Sequence, residues 1–160
     1  MRHGGVEVIV CSIPFREEMV TKKGVREALV KEAMSEKVLS VAPQTSLKEL
    51  MVIFEEHDYN MLPVMREGRL VGVVSKLDLM RAFVVERTIT KANYFNILAD
   101  KVEDVMHTNI ECVGPNDSIR EVVESLVENK LRSMPVVDGE RLVGIISRGD
   151  VIRYLVFEEE

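Results

Sequence analysis

The sequence predicts an α+β fold made of two β-α-β-β-α repeats that pack about a pseudo-twofold axis. Two observations support this prediction. A run of branched aliphatic residues followed by Ser-x-x-Asp occurs at residues 72–78 and again at residues 144–150. The stretches around both runs alternate between helix-like and strand-like hydrophobic patterns in the same order. A single repeat of roughly sixty residues is too small to bury a one-sided sheet well, so two repeats should pack sheet to sheet.

The two stretches are copies of one another at a constant offset of 72 residues. Pro63 recurs as Pro135, and Gly72 recurs as Gly144. Without a gap, the same offset pairs residues 30–34 with 102–106, 46–49 with 118–121, and 69–72 with 141–144. Chance does not keep register over so many positions, so the chain contains an internal duplication.

Each repeat begins with a short extended segment and a helix. The extended segments are residues 38–41 and 110–113, and a proline follows each of them. Ser46 and Glu49 form a capping-box pattern at the start of the first helix, and the second copy repeats it. Apolar residues at i, i+3, i+4 and i+7 predict a core-facing stripe on each helix. These are Leu47, Leu50, Met51 and Phe54 in one copy and Ile119, Val122, Val123 and Leu126 in the other.

A β-hairpin and a closing helix complete each repeat. In the first copy, strands at residues 62–65 and 70–74 flank a turn around Gly68, and the second copy repeats the pattern. Pro63 and Pro135 lack an N–H, so each should begin its strand or lie at an edge. The closing helices should place an apolar face against the sheet. Its residues are Leu79, Met80, Phe83 and Val84, or Val151, Ile152, Leu155 and Val156.

The remaining residues predict an arm, a lead-in helix and a linker. The helical pattern that starts at Val25 places Ala28, Leu29 and Ala33 on one face. In the linker, Phe95, Ile97 and Leu98 predict a packed helix. The predicted divisions are an N-terminal arm with the lead-in helix at 1–29, the first repeat at 30–87, the linker at 88–101, and the second repeat at 102–160.

Composition narrows the class of protein. The chain has 160 residues, of which 46% are hydrophobic and 30% charged, as in a globular domain. No apolar run is long enough to cross a bilayer, and the first residues lack a signal-peptide pattern. Cys11 and Cys112 show neither a disulfide framework nor zinc spacing. We therefore expect a cytoplasmic protein that does not enter a membrane.

The charged and reactive residues argue against several kinds of function. A net charge of −6 argues against nucleic-acid binding, which favours a basic surface. His3, His57 and His107 show no metal-ligand spacing, so we interpret them as surface or capping residues and predict no metal site. No nucleophile, base and orienting group stand together in the sequence, so we predict that the chain is not an enzyme and uses no catalytic cofactor.

The Ser-x-x-Asp motif at each strand–helix corner has two interpretations. A helix N-terminus attracts anions, and an Asp in its first turn offers two acceptor oxygens that suit a vicinal diol such as a ribose. The same pattern is also a capping box that needs no ligand. Two copies in register favour a binding site.

The repeated pattern resembles a tandem pair of CBS domains, the Bateman module. The resemblance is carried by Met-x-x-x-(apolar), Pro, Ser-(apolar)-x-Glu, Pro-Val and Leu-Val-Gly-(apolar)-(apolar)-Ser-x-x-Asp, and it covers nearly all of residues 30–160. It implies two clefts between the repeats that bind an adenosine ligand, namely AMP, ADP, ATP or S-adenosylmethionine. It also implies a homodimer and an unidentified partner protein that the module regulates.

The resemblance also implies which residues form each cleft. Asp78 and Asp150 would hold ribose hydroxyls, with Ser75 and Ser147 near the ribose or a phosphate. Ile110, Arg132, Ser133 and Met134 would complete the cleft of Asp78. Val38, Asn60, Met61 and Leu62 would complete the cleft of Asp150.

The sequence departs from the basic pair that nucleotide-binding relatives often carry before the Pro-Val motif. One copy has Arg132-Ser133 and the other has Asn60-Met61, so Lys76 and Arg148 are expected to add positive charge. We therefore expect phosphorylated ligands to prefer the Asp78 cleft. The alternatives that remain open are a sensor of a less charged adenosine compound such as S-adenosylmethionine, and a structural dimerisation module without a ligand. The resemblance leaves a third class open as well, nucleic-acid or metal binding.

Overall fold

The structure, a computed structural model, describes residues 28–84 and 90–157, so most of the predicted N-terminal arm lies outside it. Within these residues the main helices and the hairpin strands follow the predicted order, whereas the first predicted strand of each repeat does not form an element. In chain order they are α1 (Val30–Ala33), α2 (Leu47–Glu56), β1 (Met61–Arg66), β2 (Arg69–Ser75), α3 (Lys76–Val84), α4 (Lys91–Ala99), α5 (Val102–Val105), α6 (Ile119–Glu128), β3 (Ser133–Asp138), β4 (Arg141–Ser147) and α7 (Arg148–Phe157).

Each repeat is built on an antiparallel hairpin, which confirms the predicted strands. β1 pairs with β2 from Met61 opposite Ser75 to Arg66 opposite Arg69, and β3 pairs with β4 in the same register. An irregularity in the ladder follows the fourth residue of both β1 and β3. The hairpin turns contain Gly68 and Gly139 at φ of 78° and 61°, in the left-handed region that favours glycine.

The first strand predicted in each repeat is reduced to a single bridging residue. Val41 forms a parallel bridge to Val64, and Val113 forms the matching bridge to Val136. The Val41 N–H donates to the carbonyl of Pro63 at 3.0 Å. Pro63 lies inside β1 and not at its start. It is tolerated because Val73 opposite it bonds elsewhere, so the proline nitrogen faces the outer edge of the hairpin.

Capping boxes begin α2 and α6, as predicted. Ser46 Oγ accepts from the Glu49 N–H at 3.2 Å, and Glu49 Oε2 accepts from the Ser46 N–H at 2.9 Å. Ser118 and Glu121 repeat this arrangement. The predicted stripes face the cores: Leu47, Leu50, Phe54, Ile119, Val122 and Leu126 are buried, and Met51 and Val123 are partly buried beside them.

Reciprocal backbone contacts relate the repeats by a pseudo-twofold axis. Each backbone bridge between the repeats has a counterpart in which the equivalent residues, 72 positions away, are paired. The bridges are Leu29 with Ser118, Ser46 with Lys101, Ser35 with Ile145, and Val73 with His107. Contacts that recur with the partners exchanged define an isologous interface.

The short segment at the start of each repeat packs into the core of the other repeat. Ala28 and Val30 are buried in the second core beside Ile119, and Val102 is buried in the first core. The predicted lead-in helix is wrong at Leu29, which is extended and paired with Ser118, so α1 begins only at Val30. The reason is that the Val30 N–H donates to the Asp117 carbonyl, at 2.9 Å, across the repeats. Val25 lies outside the described residues.

The closing helices contact the sheet with fewer residues than predicted. Leu79 and Val151 are buried, but Met80 is 63% exposed and Val84 is 76% exposed. Ile152 and Leu155 are also exposed. The prediction is wrong at these four positions because the hairpins are narrow and accommodate only one edge of each helix. The Val156 side chain is not among those that the structure describes.

The linker forms α4, and the prediction that it packs is confirmed for two of its three apolar residues. Ile97 and Leu98 are buried, whereas Phe95 points to the surface and is 66% exposed. None of the helices described within residues 28–84 and 90–157 combines the length and apolar character needed to span a bilayer.

Candidate functional site

The Asp78 corner holds a buried carboxylate at the junction of β2 and α3. Asp78 is only 5% exposed. Its Oδ2 accepts from the Ser75 N–H at 2.8 Å and from the Ser75 hydroxyl at 2.6 Å, while the Asp78 N–H donates back to Ser75 Oγ at 3.2 Å. Its Oδ1 lies 2.7 Å from His107 Nε2 and 3.9 Å from a guanidinium nitrogen of Arg81. The motif is therefore a capping box with a second oxygen directed away from the cap.

The Asp150 corner repeats this geometry at the junction of β4 and α7. Asp150 is 7% exposed, and its Oδ2 accepts from the N–H and the hydroxyl of Ser147 at 2.8 and 2.6 Å. Its Oδ1 has two longer contacts of 3.3 Å, to Ser35 Oγ and to Arg153. The oxygens directed away from the two caps therefore face different neighbours in the two repeats.

A cleft of about 610 Å³ opens beside Asp78 and is lined by both repeats. The first repeat contributes the start of β1 and the corner between β2 and α3. The second contributes the segment after α5 and the approach to β3. Its polar lining residues are Asn60, Ser75, Lys76, Asp78, Arg81, His107, Asn109, Glu111, Lys130, Arg132 and Ser133, and its apolar ones are Met61, Val73, Leu77, Met80, Ile110, Leu131 and Pro135.

The lining of this cleft is more basic than the chain as a whole. Four cationic side chains, Lys76, Arg81, Lys130 and Arg132, face two carboxylates, those of Asp78 and Glu111. The whole chain carries a net charge of −6. The arrangement thus places anion-attracting groups around a buried acceptor that suits sugar hydroxyls.

Six of the residues predicted for the Asp78 cleft lie together in it. They are Ser75, Lys76, Asp78, Ile110, Arg132 and Ser133. Asn60 and Met61 were predicted to complete the other cleft, but the structure places both of them in the lining of this one. The reason is that the starts of β1 and β3 meet at the pseudo-twofold axis, where Arg132 donates to Asn60 Oδ1 at 3.2 Å.

Two further predicted residues have their side chains in the cores. Leu62 is 1% exposed and Met134 is 2% exposed, so neither side chain lines a cleft. Leu62 is the second residue of β1 and Met134 is the second residue of β3. Both side chains point into the hydrophobic core of their own repeat. Val38 is half-buried in the extended segment before Val41.

The expected supplementary cations behave differently in the two repeats. Lys76 lines the Asp78 cleft, with its Nζ 5.9 Å from the centre of the Phe54 ring. Arg148, the equivalent residue, uses its Nε to donate to the Leu131 carbonyl at 2.6 Å. Arg148 is therefore tied to the residue two places before β3.

Four titratable residues of the cleft are absent from the predicted site residues. They are Arg81, His107, Glu111 and Lys130. His107 is a surface residue, as interpreted, with 55% of its side chain exposed, but its imidazole also reaches Asp78, a contact that the sequence did not predict. The sequence does show that His107 is equivalent to Ser35, since Met106-His107 lies 72 residues after Met34-Ser35.

Among the described residues, no cluster of three His, Cys, Asp or Glu side chains is placed to hold a metal ion. Burial raises the pKa of the Cys112 thiol, which disfavours the reactive thiolate.

Comparison with known proteins shows the family. The family model for the CBS domain matches residues 30–85 and 102–157. An A-adding tRNA nucleotidyltransferase of Geobacter sulfurreducens is 31% identical over 76% of this chain, which spans only 13% of that protein's length. The structure of CBSX2 in complex with AMP is 29% identical, with a TM-score of 0.68, and the match covers 79% of this chain and 95% of that one.

A second solved structure is the CBS domain pair of protein MJ0100 in complex with 5′-methylthioadenosine and S-adenosyl-L-methionine. It is 25% identical, with a TM-score of 0.67, and the match covers 79% of this chain and 98% of that one. Because the family match covers both repeats and well over half of the residues, this chain belongs to the CBS domain family.

Proposed function

We propose that the chain is a regulatory module that binds an adenosine nucleotide, AMP, ADP or ATP, in the cleft beside Asp78. Occupancy of a cleft lined by both repeats would change how the repeats pack and so change the state of a partner protein. We further propose that the module acts as a homodimer and has no catalytic role of its own.

The observation that carries this proposal is the pairing of a buried carboxylate with basic side chains in one cleft. A ribose offers two hydroxyl donors, and Asp78 provides acceptor oxygens at the junction of β2 and α3. A phosphate chain needs positive charge, and Lys130 and Arg132 lie on the wall supplied by the second repeat. The related structure that contains AMP supports the same class of ligand.

The choice between nucleotides and less charged adenosine compounds depends on the charge of each cleft. At the offset of 72 residues, Lys130 and Arg132 correspond to Asp58 and Asn60. The Asp150 side of the module therefore carries less positive charge close to its own corner. A ligand such as S-adenosylmethionine, which a related structure contains, suits that side better than a triphosphate does.

A structural module without a ligand is the second candidate, and the capping geometry favours it. Both Ser-x-x-Asp motifs satisfy the backbone N–H of the serine and that of the aspartate by themselves. Under this candidate the carboxylates serve only to begin α3 and α7, and the cleft has no specific occupant.

Isothermal titration calorimetry with AMP, ATP and S-adenosylmethionine separates the two candidates. We expect the wild-type chain to bind ATP, Asp78→Ala to lose this binding, and Asp150→Ala to keep it. Asp138→Ala, which removes an exposed carboxylate at the end of β3, is the matched control and should bind normally. If the folded wild-type chain binds none of the three ligands, the structural candidate is correct.

A further inference from the structure

The two Asp corners differ in one contact although their backbones are equivalent. His107 and Val73 exchange two backbone hydrogen bonds of 2.9 Å, and Ser35 and Ile145 exchange the matching pair at 2.8 and 3.0 Å. The side chain of His107 then reaches Asp78, and the side chain of Ser35 reaches Asp150. The two repeats therefore place different residues, His107 and Ser35, at equivalent positions beside the two aspartates.

The acceptor capacity of Asp78 is nearly filled within the chain. An ionised carboxylate has about four lone-pair positions, two on each oxygen. The N–H and the hydroxyl of Ser75 use both positions on Oδ2. His107 Nε2 lies 2.7 Å from Oδ1 and must donate, because an ionised carboxylate only accepts. One position remains, whereas a ribose diol brings two donors.

The partners of the Oδ1 atom of Asp150 are held more loosely. Its Oδ1 has the Ser35 hydroxyl and the Arg153 guanidinium both at 3.3 Å, which is near the limit of a hydrogen bond. A short, charge-assisted contact is harder to displace than a long one. A sugar therefore meets a stronger competitor at Asp78 than at Asp150.

The position of His107 is rigidly held by its backbone. A Cβ on Gly72 would lie 2.7 Å from Met106 Sδ and 3.0 Å from the His107 carbonyl oxygen, so the segment packs directly on β2. The imidazole is nevertheless accessible, since 55% of the side chain is exposed and it lines the cleft. It can therefore turn away when a ligand enters, while its backbone stays in place.

We propose that His107 determines how tightly the Asp78 cleft holds a sugar, because its imidazole occupies the carboxylate oxygen that a ribose diol needs. The inference rests on the proposed nucleotide binding and concerns the sugar part of that ligand. In the absence of ligand, His107 makes the hydrogen bond to Asp78 that a ribose hydroxyl would otherwise make. Binding requires that the ligand displace it, which reduces the benefit of the two hydroxyls.

The test measures the benefit of the diol as the ratio of two dissociation constants, for 2′,3′-dideoxy-AMP and for AMP. Both ligands carry the same phosphate and base, so effects of His107 on those groups cancel in the ratio. All variants are made in an Asp150→Ala background, so that calorimetry reads the Asp78 cleft. The variants are His107→Ser, which copies the other corner, and His107→Ala, which removes the contact.

We expect the ratio to rise roughly tenfold in both His107 variants relative to His107 itself, the factor that corresponds to one hydrogen bond to a charged group. The melting temperature should stay close to that of the background, because the His107 side chain is more than half exposed. Asp78→Asn should reduce the ratio towards one.

Two results would overturn the inference in different ways. If AMP binds and the ratio is unchanged or falls in both variants, His107 is a spectator or a ligand of the sugar, and the proposed function survives. If none of AMP, ADP and ATP binds the background or the His107 variants while all remain folded, the proposed function itself fails and this inference fails with it.

Discussion

Asn60 and Arg132 occupy equivalent positions in the two repeats and are hydrogen bonded to each other, with Arg132 donating to Asn60 Oδ1 at 3.2 Å. Equivalent residues of a twofold arrangement can touch only at the axis. This contact therefore marks the pseudo-twofold axis and places a single guanidinium there. Its partner Asn60 has an uncharged amide. The two repeats are therefore equivalent in backbone at the axis but differ there in charge.

Arg132→Gln should weaken binding of ATP about tenfold and leave binding of adenosine nearly unchanged. The reason is that a guanidinium contributes charge-assisted hydrogen bonds to a phosphate chain and nothing comparable to an uncharged nucleoside. Calorimetry with both ligands at one salt concentration measures the two effects. Lys48→Gln on α2 removes the same charge outside the cleft and is the control. Equal losses for the two ligands would show that Arg132 acts on the shape of the cleft and not on phosphate.

Gly72→Ala should lower the free energy of unfolding by about 1–3 kcal/mol, because the added methyl group has no space in a packed contact. Its Cβ would lie 3.0 Å from the backbone oxygen of His107 and 2.7 Å from Met106 Sδ. The oxygen belongs to a bridge that ties the segment after α5 to β2, so it cannot move freely. Denaturant unfolding measures the loss, provided that the slope of the unfolding free energy against denaturant concentration is the same in both proteins.

Gly149→Ala is the matched control for this substitution and should change stability in the opposite direction. Gly149 is an exposed residue of the first turn of α7, where an added Cβ would meet Ser147 Oγ only at an ordinary distance of 3.6 Å. Alanine is the better helix former, so a gain of about 0.5–1 kcal/mol is expected. A similar loss in both variants would mean that the close approach at Gly72 does not explain its effect.

Glu49→Gln should destabilise the chain at neutral pH and have less effect in acid. Hydrogen bonds from the backbone N–H of Ser46, and then from its hydroxyl, lower the pKa of the Glu49 carboxyl in the folded chain. A lowered pKa in the folded state means that the stabilisation is complete above the pKa of the unfolded chain, near 4.3, and is lost as pH falls through the lower folded value.

Unfolding midpoints measured at pH 7 and at about pH 3 test this prediction, and the difference between wild type and Glu49→Gln should shrink at the lower pH. Glu67→Gln, at an exposed position in the first hairpin turn, is the control. A difference that stays constant with pH would show that charge at the cap does not contribute.

Much of the fold was predictable because its signals are local. The capping pairs that begin α2 and α6, the two hairpins and the Ser-x-x-Asp corners each depend on residues within a few positions of one another. The duplication was also visible directly, since the register of 72 residues needs no structure. A buried Asp at each corner follows from the same motif that caps the helix.

The composition of the cleft depends on contacts between residues that are far apart in the chain. Asn60 and Met61 join the Asp78 cleft because the starts of β1 and β3 meet at the axis, and His107 reaches Asp78 because its backbone pairs with Val73. The offset of 72 residues relates His107 to Ser35 and Arg132 to Asn60, but it does not show which side chains these residues contact. The sequence alone therefore defines two repeats that differ at single positions such as Ser35 and His107, whereas the packing of one repeat on the other brings those positions against the two corners. The physical reason is that hydrophobic periodicity and capping act within a segment, while a side chain such as His107 finds its partner only after the two repeats have packed together.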